Sequence, residues 1–164
     1  VFTSQMQEAL KAFTSAGGNV LVSGSNIGTD IWSYVYPHQA DSAFSADSRK
    51  FAEKVLGYRW RTNHASRRGI ASPVRGKDLE FSDSISFRNT PNPICYSVET
   101  PDGIVPACSK AFSIMTYPDT DISAGTAYEG NGYRTVCLGF PIEVVCEEKD
   151  LYEIINTTLE FFRR

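Results

Sequence analysis

The sequence predicts an α/β fold in which a mainly parallel sheet is flanked by helices and carries a β-rich insertion in the middle third. Three observations support this prediction. A strand pattern at residues 133–140 is followed by an amphipathic helix, and a helix near the N-terminus runs through two glycines into the apolar segment 19–23. Between residues 69 and 130 the pattern changes to short β runs separated by turn residues. Helices and apolar strands that alternate along a chain are typical of α/β folds.

The C-terminal part has the clearest pattern. Residues 133–140 are rich in aromatic and β-branched side chains and are apolar on both faces toward their end, which is typical of a strand covered on both sides. Asp150 at the start of the following helix and Arg163 at its end both oppose the helix dipole. The apolar stripe of this helix consists of Leu151, Ile154, Ile155, Leu159 and Phe162.

The N-terminal segment predicts a helix that leads into a buried strand. Ser4 and Gln7 form a capping-box pattern, and Gly17 and Gly18 end the helix before the strand at residues 19–23. The predicted inward face consists of Met6, Ala9, Leu10, Phe13 and Ala16. Because no strand precedes this helix, we expect residues 1–164 to be a single domain from the C-terminal part of a longer chain whose first strands lie upstream.

The middle of the chain predicts a short helix that is capped by Asp47 or Ser45 and ends at Gly57, and then a half-exposed strand at residues 58–62. Seven short β runs follow, each bounded by Pro, Gly, Asn or Asp, and they suggest antiparallel hairpins and edge strands added to the parallel core. They cover residues 70–74, 79–81, 84–87, 94–98, 104–107, 112–117 and 125–128.

Composition excludes several classes of function. The apolar and charged fractions, 41% and 21%, are those of an ordinary globular protein. A net charge of −3 provides no basic surface for nucleic acid, and no apolar run reaches the length of a membrane span. The cysteines Cys95, Cys108, Cys137 and Cys146 show no metal-binding spacing. We therefore expect no metal and no cofactor, with free thiols favoured over a Cys95–Cys108 disulfide.

The loop at residues 24–32 is the first candidate for a site, because ligands of open α/β sheets bind beyond the carboxyl ends of the strands. Ser25 and Asp30 are the candidate reactive groups in this loop, and Asn26 and Trp32 are the candidate binding groups. Its glycine spacing matches neither a dinucleotide-binding fingerprint nor a serine-hydrolase elbow. The same loop also has the composition of an ordinary strand-to-helix turn.

Further candidates lie in two other segments. His64 is one of only two histidines and lies next to the basic side chains of Arg61 and Arg67, a combination of residue types that lyase chemistry on uronic acids could use. A surface histidine without a catalytic role would show the same pattern. Glu143 with Asp30 is the pair of carboxylates that could cleave a glycoside. Trp32, Tyr34, Tyr36 and Trp60 could stack on sugar rings or pack in the core.

Three segments resemble a known family. The sequences AGGNVLVSGSNIGTDIW, FAEKVLGYRWRTNHAS and YRTVCLGFPIEVV are similar to those of the xanthan-lyase-like family of secreted, multi-domain bacterial proteins associated with polysaccharide use. The resemblance implies a class I glutamine amidotransferase-like domain, which is a flavodoxin-like three-layer αβα sandwich. It also implies an extracytoplasmic location, other domains of the parent chain as partners, and polysaccharide as a possible ligand.

This sequence differs from true amidotransferases at the positions of the catalytic cysteine and histidine. No cysteine lies in a glycine-flanked elbow, and Pro141 occupies the histidine position of the Phe-His-Pro-Glu pattern, while Glu143 keeps the acidic position. Without an imidazole, no group is present to take the proton of a nucleophile. The sequence therefore predicts a non-catalytic accessory domain that serves as a scaffold or binds carbohydrate or protein. The alternative is a hydrolase or polysaccharide lyase with a pocket at the carboxyl edge of the sheet.

Overall fold

A computed structural model describes residues 2–32, 46–93 and 96–164. The helical elements are α1 (Ser4–Ser15), α2 (Thr29–Trp32), α3 (Ala46–Phe51) with a π-helical turn at Ala52–Leu56, a 3-10 turn at Ile142–Val144, and α4 (Glu148–Arg163). The strands are β1 (Val20–Ser23), β2 (Tyr58–Thr62), β3 (Ile70–Pro73), β4 (Ile85–Ser86), β5 (Gly103–Pro106), β6 (Ala111–Tyr117), β7 (Ile122–Glu129) and β8 (Arg134–Leu138).

Six of these strands form one strongly curled, half-barrel sheet in the order β1-β8-β7-β6-β3-β4. In the described part of the chain, β1 and β8 are its one parallel pair, and the other four pairings are antiparallel. Strands β2 and β5 form a separate antiparallel pair. The prediction of a mainly parallel sheet in a flavodoxin-like three-layer sandwich is therefore wrong.

The physical reason lies in the middle third of the chain. Short strands joined by tight turns become antiparallel neighbours, as β6 and β7 do, whereas parallel neighbours need a long crossover. Strand β7 then pairs with β8, so the hairpins continue the main sheet. The sequence suggested that these hairpins are an insertion into a parallel core. They form most of the sheet.

Two hydrophobic clusters lie on opposite faces of the β1–β8 pair. Val136 and Leu138 of β8 belong to the larger cluster, which includes Ile154 and Phe161 of α4. Cys137, between them on β8, belongs to the smaller cluster around Phe51 and Leu56. Successive side chains of a strand point to opposite faces, so this end of the sheet is covered on both sides. The predicted βα unit of residues 131–162 is thus present as β8 and α4.

The helix at the N-terminus packs differently from the prediction. Thr3 is the N-cap, its hydroxyl accepts the N–H of Met6 at 3.2 Å, and the side chain of Gln7 donates to Phe2 O and Ser48 Oγ at 2.9 Å instead of closing a capping box. The buried residues of α1 are Gln7 and Thr14, whereas Met6 and Phe13 are about half exposed. Of the five residues of the predicted face, Leu10 packs against the smaller cluster and the other four are exposed.

Most of the other predicted elements are present. Strands β1, β2 and β8 lie where the sequence indicated them, and Gly57, with φ of 82°, ends the turn after α3. Residues 79–81 form no strand, although Leu79 and Phe81 are buried in the core. Among the described residues, no helix combines the length and apolar character needed to cross a lipid bilayer.

Some sequence-based predictions fall on residues outside the described ranges. These residues are Tyr34, Tyr36 and Cys95. Cys108, Cys137 and Cys146 are free thiols.

Candidate functional site

Parallel pairing of β1 with β8 brings two loops to one edge of the sheet. Ser23 lies opposite Leu138, and the N–H of Gly24 donates to the carbonyl oxygen of Leu138 at 3.1 Å. The loop after β1 and the segment after β8 therefore leave the sheet side by side. Ser23 Oγ also accepts the N–H of Ile142 at 3.4 Å, which holds the second segment against the end of the first strand.

A third segment, the turn before β5, joins these two through Asp102. The N–H of Asp102 donates to Gly139 O at 2.9 Å, and Tyr117 Oη donates to Asp102 O at 3.0 Å. Its carboxylate accepts the N–H groups of Gly28 and Thr29 at 2.7 and 2.9 Å, as well as the hydroxyl of Thr29. We call the loop 24–30, the turn 101–103 and the segment 139–143 together the Asp102 edge.

Two contacts in the Asp102 edge are so close that they require glycine. A Cβ at Gly139 would overlap the carbonyl oxygen of Asp102, and a Cβ at Gly28 would lie 2.6 Å from the ring of Trp60. Glycine at both positions allows backbone and ring to pack directly against each other. Trp60 Nε1 also donates to Thr29 Oγ1 at 3.2 Å, so the tryptophan both packs on the loop and binds it.

The carboxyl group of Asp102 has an unusually high pKa for an aspartate in a turn. Asp102 is fully buried, and its burial raises the pKa of the carboxyl to about 6 in spite of the hydrogen bonds from Thr29, Gly28 and Trp60, which lower it. Burial likewise raises the pKa of Tyr117 and of Tyr58, and Tyr58 Oη donates to Ile27 O at 2.7 Å. Asp102 has no solvent-exposed surface, and its carboxylate holds the loop through hydrogen bonds.

The predicted reactive residues lie at or near this edge, and three of them are in its segments. Ser25 is nearly buried, and its hydroxyl lies 3.5 Å from Tyr96 Oη. Asp30 is half-buried in α2, and Glu143 is exposed in the 3-10 turn. His64 is exposed, its Nδ1 is 2.9 Å from Asn63 Oδ1, and the N–H of the next residue, Ala65, donates to Pro101 O at 3.1 Å. Their roles stay predictions.

The predicted binding residues are more dispersed. Asn26 is exposed in the loop of the Asp102 edge, whereas the ring of Trp32 packs 6.1 Å from that of Tyr58 in the smaller cluster. Arg61 is exposed on β2, and the backbone of Arg67 is held by the carboxylate of Asp119 at 2.9 Å. No group of His, Cys, Asp or Glu side chains within the described ranges could hold a metal ion.

Sequence reasoning missed two residues of this region. Asp102 was interpreted as part of a Pro-Asp-Gly turn, and an aspartate before glycine in a turn gives no sign of burial. Tyr96 lies in a segment for which the sequence predicted a strand, but residues 96–98 form none and the side chain of Tyr96 is 57% exposed. Only the spatial arrangement of the segments shows that these two residues lie beside the loop 24–30.

Comparison with known proteins shows the fold alone. No protein-family model and no curated protein matches the sequence. A cold-adapted β-galactosidase from Rahnella sp. R3 matches 95% of this chain with a TM-score of 0.61 and 15% identity. The exo-β-1,4-mannosidase Op5Man5 from Opitutaceae bacterium strain TAV5 matches 98% with a TM-score of 0.50 and 14% identity.

This chain spans only about a fifth of those enzymes, 20% of the β-galactosidase and 22% of the mannosidase. Both neighbours are glycoside hydrolases, and the sheet they share with this chain is mixed and curled. The expected membership of the xanthan-lyase-like family, with a glutamine amidotransferase-like domain, is therefore wrong. Two of the three segments that carried that resemblance contain β1 and β8, which pair in parallel, and the third contains β2, which pairs antiparallel with β5. The parallel β1–β8 pair does not define the rest of the sheet.

Proposed function

We propose that this chain is a domain of a hydrolase acting on β-linked hexosides, and that the rim of the Asp102 edge binds the sugar. The observation that carries this proposal is the convergence of two chain segments on the buried Asp102: the loop 24–30 bonds to its carboxylate, and the segment 139–143 bonds to its backbone N–H. These hydrogen bonds hold the two loops in fixed positions, and polar side chains of the loops surround the buried Asp102. The likeness to a β-galactosidase and a β-mannosidase supports the substrate class.

The rim consists of Ser25, Asn26, Tyr96 and Glu143, and these side chains have the chemistry that sugar recognition needs. Tyr96 offers an exposed aromatic ring, and the hydroxyl of Ser25 lies beside its phenol oxygen. Aromatic rings stack on the apolar faces of sugars, while hydroxyl, amide and carboxylate groups bond to sugar hydroxyls. Asn26 and Glu143 supply the amide and the carboxylate from the two neighbouring loops.

Glycoside cleavage requires two carboxyl groups on opposite sides of the scissile bond. Asp102 is sealed and committed to backbone N–H groups, so it does not serve as one of them. Asp30 and Glu143 are the other two carboxylates in the segments of the Asp102 edge, and both are at least partly exposed. We assign them as the candidate acid and base of this chain.

The burial of Asp102 favours a second candidate function. The carboxyl with the pKa of about 6, which is the value most suited to acid–base work near neutrality, is unavailable to a substrate. In this alternative the domain binds the sugar without cleaving it, and the hydrolytic groups belong to other parts of a larger enzyme.

The test measures hydrolysis and binding by the same protein. We expect release of nitrophenol from 4-nitrophenyl β-galactoside or β-mannoside, and its loss in Asp30→Asn and Glu143→Gln but not in the exposed control Glu147→Gln. Calorimetry with lactose and β-1,4-mannobiose should show binding that Tyr96→Ala weakens about five- to tenfold. Tyr152→Ala, a similarly exposed tyrosine on α4, should bind as the parent does.

Binding without hydrolysis would select the second candidate. Neither binding nor hydrolysis of either sugar would contradict both. Circular dichroism of each variant shows whether a loss reflects unfolding.

A further inference from the structure

The outer face of α4 carries an apolar stripe that the fold leaves uncovered. Its core-facing side is formed by Asp150, Ile154, Thr158 and Phe161, which are all buried. Tyr152, Ile155 and Leu159 on another side are 58%, 36% and 43% exposed. Ile155 and Leu159 belong to the apolar stripe that the sequence predicted, and the structure leaves them at the surface. This stripe is wider than one packed sheet requires.

The spacing of the stripe is that of a helix–helix contact. Glu148, Tyr152, Ile155 and Leu159 follow one another at intervals of four, three and four, which places them along one side of the helix. Arg163, four residues after Leu159, continues the same side. We call these five residues the α4 stripe: an apolar centre with an acidic group at one end and a basic group at the other.

The ends of the α4 stripe have no partner within the described part of the chain. Glu148 and Arg163 are exposed, and neither takes part in an ion pair there. An antiparallel copy of the same helix would place Glu148 opposite Arg163 of the copy, and Tyr152 opposite its Leu159. The two Ile155 side chains would meet beside the two-fold axis. The α4 stripe is therefore complementary to itself in charge and in apolar character.

We propose that the α4 stripe is a contact surface for a second copy of this chain, paired antiparallel about a two-fold axis. Two-fold pairing is the commonest arrangement of homo-oligomers and requires such a self-complementary surface. Antiparallel packing also sets the two helix dipoles head to tail. One helix pair buries less surface than a standard interface, so the dimer is weak, with a Kd on the order of 10⁻⁵–10⁻⁴ M.

This surface is distinct from the Asp102 edge, and its test does not depend on sugar binding. Sedimentation of the full chain over a concentration series should show a monomer–dimer equilibrium. The variants Ile155→Glu and Leu159→Glu should remain monomeric throughout. Glu160→Arg, an exposed charge reversal on a different side of α4, should dimerise as the parent does.

Charge reversal identifies the antiparallel register. Glu148→Arg alone and Arg163→Glu alone oppose like charges at both ends of the contact, so each should weaken the dimer about tenfold or more. The double variant, or an equimolar mixture of the two single variants, restores both pairs and should recover the parent Kd. A parent chain that stays monomeric at millimolar concentration overturns the proposal. So does a dimer that ignores Leu159→Glu, or one in which the two single variants are not rescued by mixing.

Discussion

The carboxylate of Asp102 accepts the backbone N–H of Gly28 at 2.7 Å, although 74 positions separate the two residues. This bond and the two from Thr29 fix the start of α2 against the turn before β5. Short helices have unsatisfied N–H groups at their first turn, and an aspartate from elsewhere in the chain satisfies them here. The relationship makes Asp102 the residue on which the candidate site depends most.

We first predict that Asp102→Ala destabilises the fold strongly. The change removes the acceptor from two backbone N–H groups and one hydroxyl in a buried site, and each unsatisfied donor is costly. We expect a loss of about 3–5 kcal/mol in the free energy of unfolding, measured by urea denaturation.

The matched control is Asp102→Asn, whose amide oxygen can still accept the two backbone N–H groups. It should cost less than half as much. Equal losses in the two variants would mean that the hydrogen bonds do not hold the loop.

A second prediction concerns pH, because the pKa of Asp102 is raised to about 6. The folded protein binds this proton more tightly than the unfolded chain, whose aspartate pKa is about 3.9, so protonation favours the folded state. The contribution is fully present below about pH 4 and is lost as the pH rises through about 6. Asp102→Asn has no such proton.

We therefore expect the stability of the parent chain relative to Asp102→Asn to fall by about 2–3 kcal/mol between about pH 4 and pH 7.5. Denaturant unfolding of both proteins at several pH values measures this difference. A parent chain that instead gains on the variant as the pH rises would show that the hydrogen bonds outweigh burial and lower the pKa.

A third prediction tests the close approach at Gly139. Alanine there would place its Cβ against the carbonyl oxygen of Asp102, a backbone atom that cannot move without shifting the turn. We expect Gly139→Ala to cost about 3 kcal/mol or more, or to prevent folding. In Gly24→Ala the nearest atom is a side-chain methyl of Ile27 at 3.1 Å, so a loss of less than about 1 kcal/mol is expected. Thermal unfolding distinguishes them.

A fourth prediction concerns the thiols. Burial raises the pKa of the Cys137 thiol well above its ordinary value, while Cys108 and Cys146 are exposed. Iodoacetamide should therefore label Cys108 and Cys146 in the native protein and leave Cys137 unmodified until denaturant is added. Peptide mass mapping before and after unfolding measures this. Labelling of native Cys137 at the rate of Cys146 would contradict the packing of β8.

Local patterns in the sequence predicted much of the fold at one corner of the molecule. The strand at residues 133–140, the helix after it and the strand at residues 19–23 are present as β8, α4 and β1, with β1 and β8 parallel as expected. Each of these elements has its own periodicity and end signals, so it is specified locally. The gathering of two loops at the carboxyl edge followed from that pairing.

The rest of the sheet could not be predicted because strand order depends on contacts far apart in the chain. Alternation in β6 or β7 indicates a strand without indicating its neighbour, so the hairpins were interpreted as an insertion. The inward face of α1 failed for a related reason. Its apolar residues Met6 and Phe13 are exposed, while Gln7 is buried by hydrogen bonds to Phe2 and Ser48.

Mapping of the sugar contact tests the central proposal most directly. Nuclear magnetic resonance of isotope-labelled protein, titrated with β-1,4-mannobiose and separately with lactose, reports every backbone amide. We predict saturable shifts for amides of residues 24–30 and 139–143 and for Tyr96, with none along α4. Shifts confined to other surfaces, or none up to the solubility limit of both sugars, would contradict a sugar site at the Asp102 edge.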